Sequence, residues 1–310
     1  MVPDPLVICE CFARDGLQHE PVQVDTSDKV ALIDAMTVAG FPRIEATSYS
    51  HPKRVPGFSD ASEVLAGIRR RDGVHYKATC PNPKAVERAL SDLEAGREAT
   101  ELSFLSSATE THSQRNLRAS RAEQWARVEE MAQAAAGKFR LVGVISVALG
   151  CPFEGPVDPG RVVKDVARFA SLGAELVTVG DTVGAGTPTA VRAMWERFAR
   201  EVPDVTCVAH FHDTRGTGIA NCFAALEGGA THFDSAFGGV GGHPSEIQYG
   251  TGRTGNVATE DLVSMFEAEG HITGIDLDRM MRISEQCEQV LGRTLDSKVA
   301  RAGLLPRRAV

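Results

Sequence analysis

No stretch of this sequence is long and apolar enough to span a bilayer. The opening residues, Met1-Val2-Pro3-Asp4-Pro5, lack a basic region followed by an apolar one; no secretory signal is visible, and a cytoplasmic location is expected. Positive charge is not in excess: 33 Lys and Arg stand against 41 Asp and Glu, a formal net charge of −8. That balance leaves no electrostatic footprint for nucleic acid, although local basic residues could still line a pocket for an anionic substrate. The seven cysteines are odd in number and contain no Cys-x-x-Cys pair, which speaks for reduced thiols. Short-period repeats and linker-like breaks in composition are also missing, so nothing divides the 310 residues into separate units.

What is present is alternation. Apolar strands are expected near residues 6–12, 43–48, 75–80, 100–105, 140–148, 175–179, 208–213 and 231–236. Each is followed by a helical pattern, near 29–39, 59–71, 83–94, 121–136, 158–173, 188–201, 218–227 and 259–269. Gly40 closes the first helix, and Pro188 stands where a first helical turn tolerates proline. Strict βα alternation implies a parallel sheet. Eight units without reversal favour an α/β fold closed into a (β/α)8 TIM barrel, with an open doubly wound sheet as the alternative. Residues 276–310 add extra C-terminal helices, so 1–310 is expected to form one catalytic domain.

The chemistry gathers at the seventh strand, Val208-Ala209-His210-Phe211-His212-Asp213. Side chains of a strand alternate faces, so His210 and His212 point the same way and can reach one metal ion; two satisfied core histidines are the other reading. In a (β/α)8 barrel the C-terminal strand ends carry the catalytic groups. Those ends hold Arg14 and Asp15, Glu45 and Ser48, Ser106 and Ser107, Asp181 and Thr182, then the two histidines, then a glycine-rich loop with His243 and Asn256 beyond it. Asp15, His210 and His212 make a two-imidazole, one-carboxylate set that suits a first-row divalent ion with open positions, and Asn256 could add a carbonyl oxygen. Asp15 as a cap on its turn and Asn256 as a turn residue remain open. Spacing does not choose among Mg2+, Mn2+, Co2+ and Zn2+.

Six motifs in order resemble one family. They are Cys11-Phe12-Ala13-Arg14-Asp15-Gly16-Leu17-Gln18, Ile44-Glu45-Ala46-Thr47-Ser48, Ser146-Val147-Ala148-Leu149-Gly150-Cys151-Pro152, Gly180-Asp181-Thr182-Val183-Gly184, His210-Phe211-His212-Asp213-Thr214 and Gly255-Asn256-Val257-Ala258-Thr259-Glu260-Asp261. Together they resemble the 3-hydroxy-3-methylglutaryl-CoA lyases of the DRE-TIM metallolyase group, over about residues 7–298. The resemblance implies retro-Claisen cleavage of a 3-hydroxyacyl-CoA or a related hydroxy acid. By the same likeness Asp15, His210, His212 and Asn256 hold a divalent metal, most simply Mg2+ or Mn2+, with Co2+ or Zn2+ as alternatives. Arg14 would steady the enolate oxygen. Glu45 and Asp181 would orient ligands and water or help to move protons. Gln18, Ser48, Lys53 and Arg253 are the expected substrate-binding residues. A homodimer or homotetramer is implied, with no nucleic-acid or membrane partner. A related condensing or aldol-type enzyme, or a non-catalytic relative that binds metal and ligand, is the alternative.

One motif departs from the family. Where those lyases carry Gly-Gly-Cys-Pro, this chain reads Gly241-Gly242-His243-Pro244, followed by a longer loop. An imidazole titrates near pH 6.5, so His243 is expected as a replacement acid/base on that loop.

Overall fold

The structure is a computed structural model that describes residues 5–242 and 255–305. Its strands are β1 (Val7–Glu10), β2 (Arg43–Ser48), β3 (His75–Cys80), β4 (Glu101–Ser107), β5 (Arg140–Ser146), β6 (Ala174–Asp181), β7 (Thr206–Phe211) and β8 (His232–Ser235). Each pairs in parallel with the next, and β8 returns to β1 with Val7 opposite His232 and Glu10 opposite Ser235. The expected (β/α)8 barrel is therefore closed, and the open sheet is excluded.

The helices form where capping chemistry and amphipathic spacing agree. These are α1 (Thr26–Ala39), α2 (Ala61–Gly67), α3 (Pro83–Glu94), α4 (Glu110–Leu117), α5 (Arg121–Ala135), α6 (Pro159–Ser171), α7 (Pro188–Glu201), α8 (Gly218–Glu227), α9 (Thr259–Ala268), α10 (Leu277–Leu291) and α11 (Lys298–Ala302). Asn82 accepts from Ala85 N at 3.1 Å to open α3, and Ser120 and Glu123 close a reciprocal capping box at α5. α4 falls in a stretch that reads only as polar. Its buried residues are His112 and Ser113, so no apolar stripe betrays it. α2 is shorter than the 59–71 expected, and β1 ends early because Phe12–Gly16 turn into a wide helical coil. Among the described residues no helix is long and apolar enough to cross a membrane.

The apolar core lies between the barrel and its helices. Trp125 meets Phe169 at 4.7 Å between ring centres, Trp195 meets Phe211 at 5.5 Å and Phe233 meets Phe266 at 4.8 Å. Each such buried ring contributes about 1.5–3 kcal/mol of transfer free energy. The barrel's own interior is different. Val142, Leu176 and Val208 form a small separate apolar cluster. Two residues further along the same strands come Val144, Thr178 and His210, on the same inner face and lining the open cavity above. At the C-terminal end of the chain, α10 packs on α1 and α11 on α9, with Ser297 Oγ donating to Asp261 Oδ1 at 2.8 Å.

Candidate active site

Strand ends and the turns that follow them bring Asp15, His210 and His212 together. One ligand atom from each lies within 4.8 Å of the others. β7 supplies the two imidazoles on one face. Asp15 comes from the coil after β1, which is tied down where Arg14 N and Gly16 N donate to Cys11 O. Asn256 sits on a segment threaded between two strand ends: Val257 N donates to Phe211 O, and Ala236 N to Val257 O.

Hydrogen bonds fix the state of the two rings. His212 Nδ1 lies 2.8 Å from Thr182 O, which can only accept, so Nδ1 carries the proton. His210 Nδ1 lies 3.3 Å from Asp234 Oδ2. Burial works against ionising Asp234, but Lys77 and His210 outweigh it and hold its pKa well below the usual carboxylate range. His210 Nδ1 therefore donates. With Nδ1 the donor in each ring, the two Nε2 atoms are the positions turned toward each other, 3.1 Å apart. Burial lowers the His210 pKa and Asp234 raises it, with a net upward shift.

That arrangement calls for a cation. Two nitrogens about 2.1 Å from one ion and at right angles lie about 3 Å apart. Asp15 stays ionised: burial opposes this, but Arg14 and the imidazoles outweigh it and keep its pKa below the ordinary value. Asn256 Nδ2 donates to Asp15 Oδ2 at 2.6 Å and to Val240 O at 2.9 Å, which leaves Oδ1 buried with no hydrogen-bond partner. A carboxylate, two converging imidazoles and an amide oxygen with no hydrogen-bond partner fit a divalent ion with nitrogen and oxygen ligands.

The cluster opens into a cavity of about 450 Å3. Arg14 reaches across it, with Nη2 2.7 Å from Glu45 Oε1 and Nη1 3.2 Å from both Asp15 Oδ1 and Gln18 Oε1. Burial disfavours its charge, but Glu45 and Asp15 more than compensate, and its pKa lies above the ordinary arginine value. Glu45 also accepts from Thr79 Oγ1 at 2.9 Å. Arg54, Arg115, Arg118 and Arg127 line the cavity as well.

Other expected residues are placed elsewhere. Asp181 lies outside the cavity lining; its carboxylate accepts from Ala185 N at 2.8 Å and Gly186 N at 2.9 Å and shapes its own loop. Burial pushes its pKa up. Thr182 serves the site instead, through its carbonyl. Ser48 is held by Ser50 Oγ at 2.8 Å and Thr79 O at 3.3 Å, and Ser50 takes its place on the cavity wall. Lys53 sits on an exposed turn, with its neighbour Arg54 on the wall. His243 and Arg253 lie outside the described residues. Sequence reasoning missed Lys77 and Asp234, both buried and cavity-facing. The signal was there: a charged residue in the middle of a strand buried on both faces is out of place unless it has work to do.

A closed parallel barrel that gathers a carboxylate, two imidazoles and a fixed arginine at one mouth defines a metal-assisted barrel enzyme. The family model described as HMGL-like matches residues 6–287. The chain belongs to this family of DRE-TIM metallolyases, whose members depend on a divalent metal ion. It is 39% identical to the mitochondrial hydroxymethylglutaryl-CoA lyase of Rattus norvegicus over 302 residues, covering 97% of this chain and 90% of that protein. It is 38% identical to the 3-hydroxy-3-isohexenylglutaryl-CoA/hydroxymethylglutaryl-CoA lyase of Pseudomonas aeruginosa, covering 97% and 98%. Among solved structures, an HMG-CoA lyase from Acinetobacter baumannii in complex with coenzyme A and 3-methylmalate superposes with a TM-score of 0.90 at 38% identity, covering 98% of this chain and 97% of that one.

Proposed function

We infer that this chain is a carbon–carbon lyase that cleaves a branched 3-hydroxyacyl-CoA in a retro-Claisen reaction. The observation that carries this reading is the convergence of the two Nε2 atoms beside Asp15, with Arg14 locked at their side. Asp15, His210, His212 and Asn256 would hold the ion. The oxygen donors of Asp15 and Asn256 suit Mg2+ or Mn2+, and the two imidazoles also accept Co2+ or Zn2+. When bound, such an ion lowers the pKa of a substrate alcohol at neutral pH.

The chain's own groups supply the rest. Asp234 and the Thr182 carbonyl orient the two rings and keep their protons on Nδ1. Arg14, held from three sides, presents a fixed positive charge to the oxygen on which the departing enolate builds negative charge. Glu45 sets the direction of that guanidinium. The arginines of the cavity wall suit the phosphates of a coenzyme A handle. On sequence alone, His243 is assigned the proton that the enolate carbon takes up. The reading further includes a single catalytic domain over 1–310, a dimer or tetramer of identical chains and a cytoplasmic location, each resting on the sequence and the family likeness.

The test is a screen of hydroxyacyl-CoAs, beginning with 3-hydroxy-3-methylglutaryl-CoA, on protein loaded with Mn2+ or Mg2+. The expected products are a shorter acyl-CoA and a keto acid or ketone. Release of free coenzyme A with the acyl carbons intact would make the protein a hydrolase, and binding without any product would make it a non-catalytic relative.

A further inference from the structure

We propose that Lys77 forms a carboxylate-binding subsite at the floor of the cavity, and that the acyl group this chain accepts carries a carboxylate reaching that floor. This deepens the lyase reading and rests on the same cavity. Lys77 is 2% exposed and is one of the residues lining the cavity. Its nearest charged partners are Glu45 Oε1 at 3.5 Å and Asp234 Oδ2 at 3.7 Å. Both contacts exceed the length of a hydrogen bond, and a buried ammonium with three donors is costly to leave in that condition. Glu45 Oε1 is already held by Arg14 at 2.7 Å and by Thr79 Oγ1 at 2.9 Å, and Asp234 Oδ2 faces His210 Nδ1 at 3.3 Å, while Asp234 Oδ1 has no hydrogen-bond partner. An oxygen entering from the cavity side would complete the shell of Lys77.

Charge balance points the same way. Apart from Arg54, Arg115, Arg118 and Arg127, the charged lining consists of the cations Arg14 and Lys77 and the carboxylates Asp15, Glu45 and Asp234. A divalent ion turns that group from one net negative charge to one net positive, which a single ligand carboxylate neutralises. The same cavity is lined by Thr79 and Thr178 and, on the other strands, by Val144 and Leu105. An acyl group ending at Lys77 in a methyl would bury the ammonium and leave it without a partner, so discrimination comes from rejection as much as attraction.

The test needs no turnover. Binding of 3-methylmalate and of 2-hydroxy-3-methylbutanoate, in which a methyl replaces the distal carboxylate, is measured by calorimetry on the Mn2+-loaded protein and its Lys77→Met variant. Both acids keep the hydroxyl and the neighbouring carboxylate, so any change in metal affinity cancels in their ratio. The native protein is expected to prefer 3-methylmalate by about 30-fold or more, and Lys77→Met to shrink that preference to about threefold or less. Lys77→Arg, which keeps the charge, serves as a second variant if Lys77→Met does not fold, and is expected to retain a preference above tenfold. A preference unchanged in Lys77→Met, lost in Lys77→Arg, or absent from the native protein overturns the proposal. A protein that cleaves no thioester but shows the Lys77-dependent ratio would sink the lyase reading and leave this subsite standing.

Discussion

Two charged clusters occupy the same barrel, and they behave differently. Deep on the N-terminal side, Arg43 and Glu101 are 1% and 0% exposed and close on each other through bonds of 2.8, 3.1 and 3.2 Å, with Arg140 adding a fourth at 3.0 Å. Both oxygens of Glu101 are answered by guanidinium donors there, while Arg43 Nη1 makes no hydrogen bond and lies 4.0 Å from Asp234 Oδ1. At the C-terminal mouth, ligand atoms converge instead: two imidazole nitrogens lie 3.1 Å apart beside Asp15, and a buried amide oxygen has no hydrogen-bond partner. Both clusters are mostly buried and both are strongly charged. Burial of charge therefore does not mark a site by itself; what marks it is a set of ligand atoms converging on one point.

That contrast can be broken most directly at His210. His210→Ala is expected to abolish stoichiometric metal binding and to cut turnover by on the order of 10³ or more, while the circular dichroism spectrum stays native. Unchanged metal content by elemental analysis would remove the basis for treating the mouth as a metal centre. The opposite pattern is expected below it. Arg43→Met or Glu101→Gln alone should cost about 3–5 kcal/mol in urea unfolding, because each strands a buried charge. Replacing both partners with apolar residues should recover most of that loss, and metal stoichiometry should hold in all three. A deep-pair variant that keeps its stability but loses metal would show that the two clusters act as one.

The smallest effect compares two histidines. Asp234 lifts the pKa of His210, whereas burial pushes His112, next to Ser107 Oγ at 2.9 Å, down to about 4. A histidine whose folded pKa lies below its unfolded value binds fewer protons when folded. Its stabilising contribution is complete above about pH 6.5 and is lost as pH falls toward 4. By pH 5 the loss is on the order of 2 kcal/mol. A His112→Gln variant should show a flatter fall in melting temperature between pH 6.5 and 4.5 than the native chain; equal slopes would place the acid sensitivity elsewhere.

The barrel was legible because βα alternation is a long-range pattern that local errors do not disturb. Missing α4 and overextending β1 left the strand count intact. Asp15, His210, His212 and Asn256 were legible because strand ends in a closed barrel converge. Asp181 was not, since its position at a strand end does not say which face its carboxylate takes. Along β6, Thr178, Gly180 and Thr182 line the cavity, and Asp181 points the other way. Lys77 escaped notice because it sits mid-strand, in the register Lys77 opposite Glu45, where only the closed barrel reveals what it faces.

The segment that carries Asn256 is stitched in at both of its visible edges. A Cβ at Gly241 would lie 2.7 Å from Asp15 O, and one at Gly255 would lie 2.3 Å from Gly239 O, so neither glycine can be exchanged without shifting the backbone it touches. Asp213 N donates to Gly255 O at 2.8 Å, which fastens the far edge to the end of β7. Asn256 is therefore placed by contacts of its own segment with the barrel rim. The position of its amide beside Asp15 is thus inherited from the rim of the barrel, as a keystone takes its place from the arch.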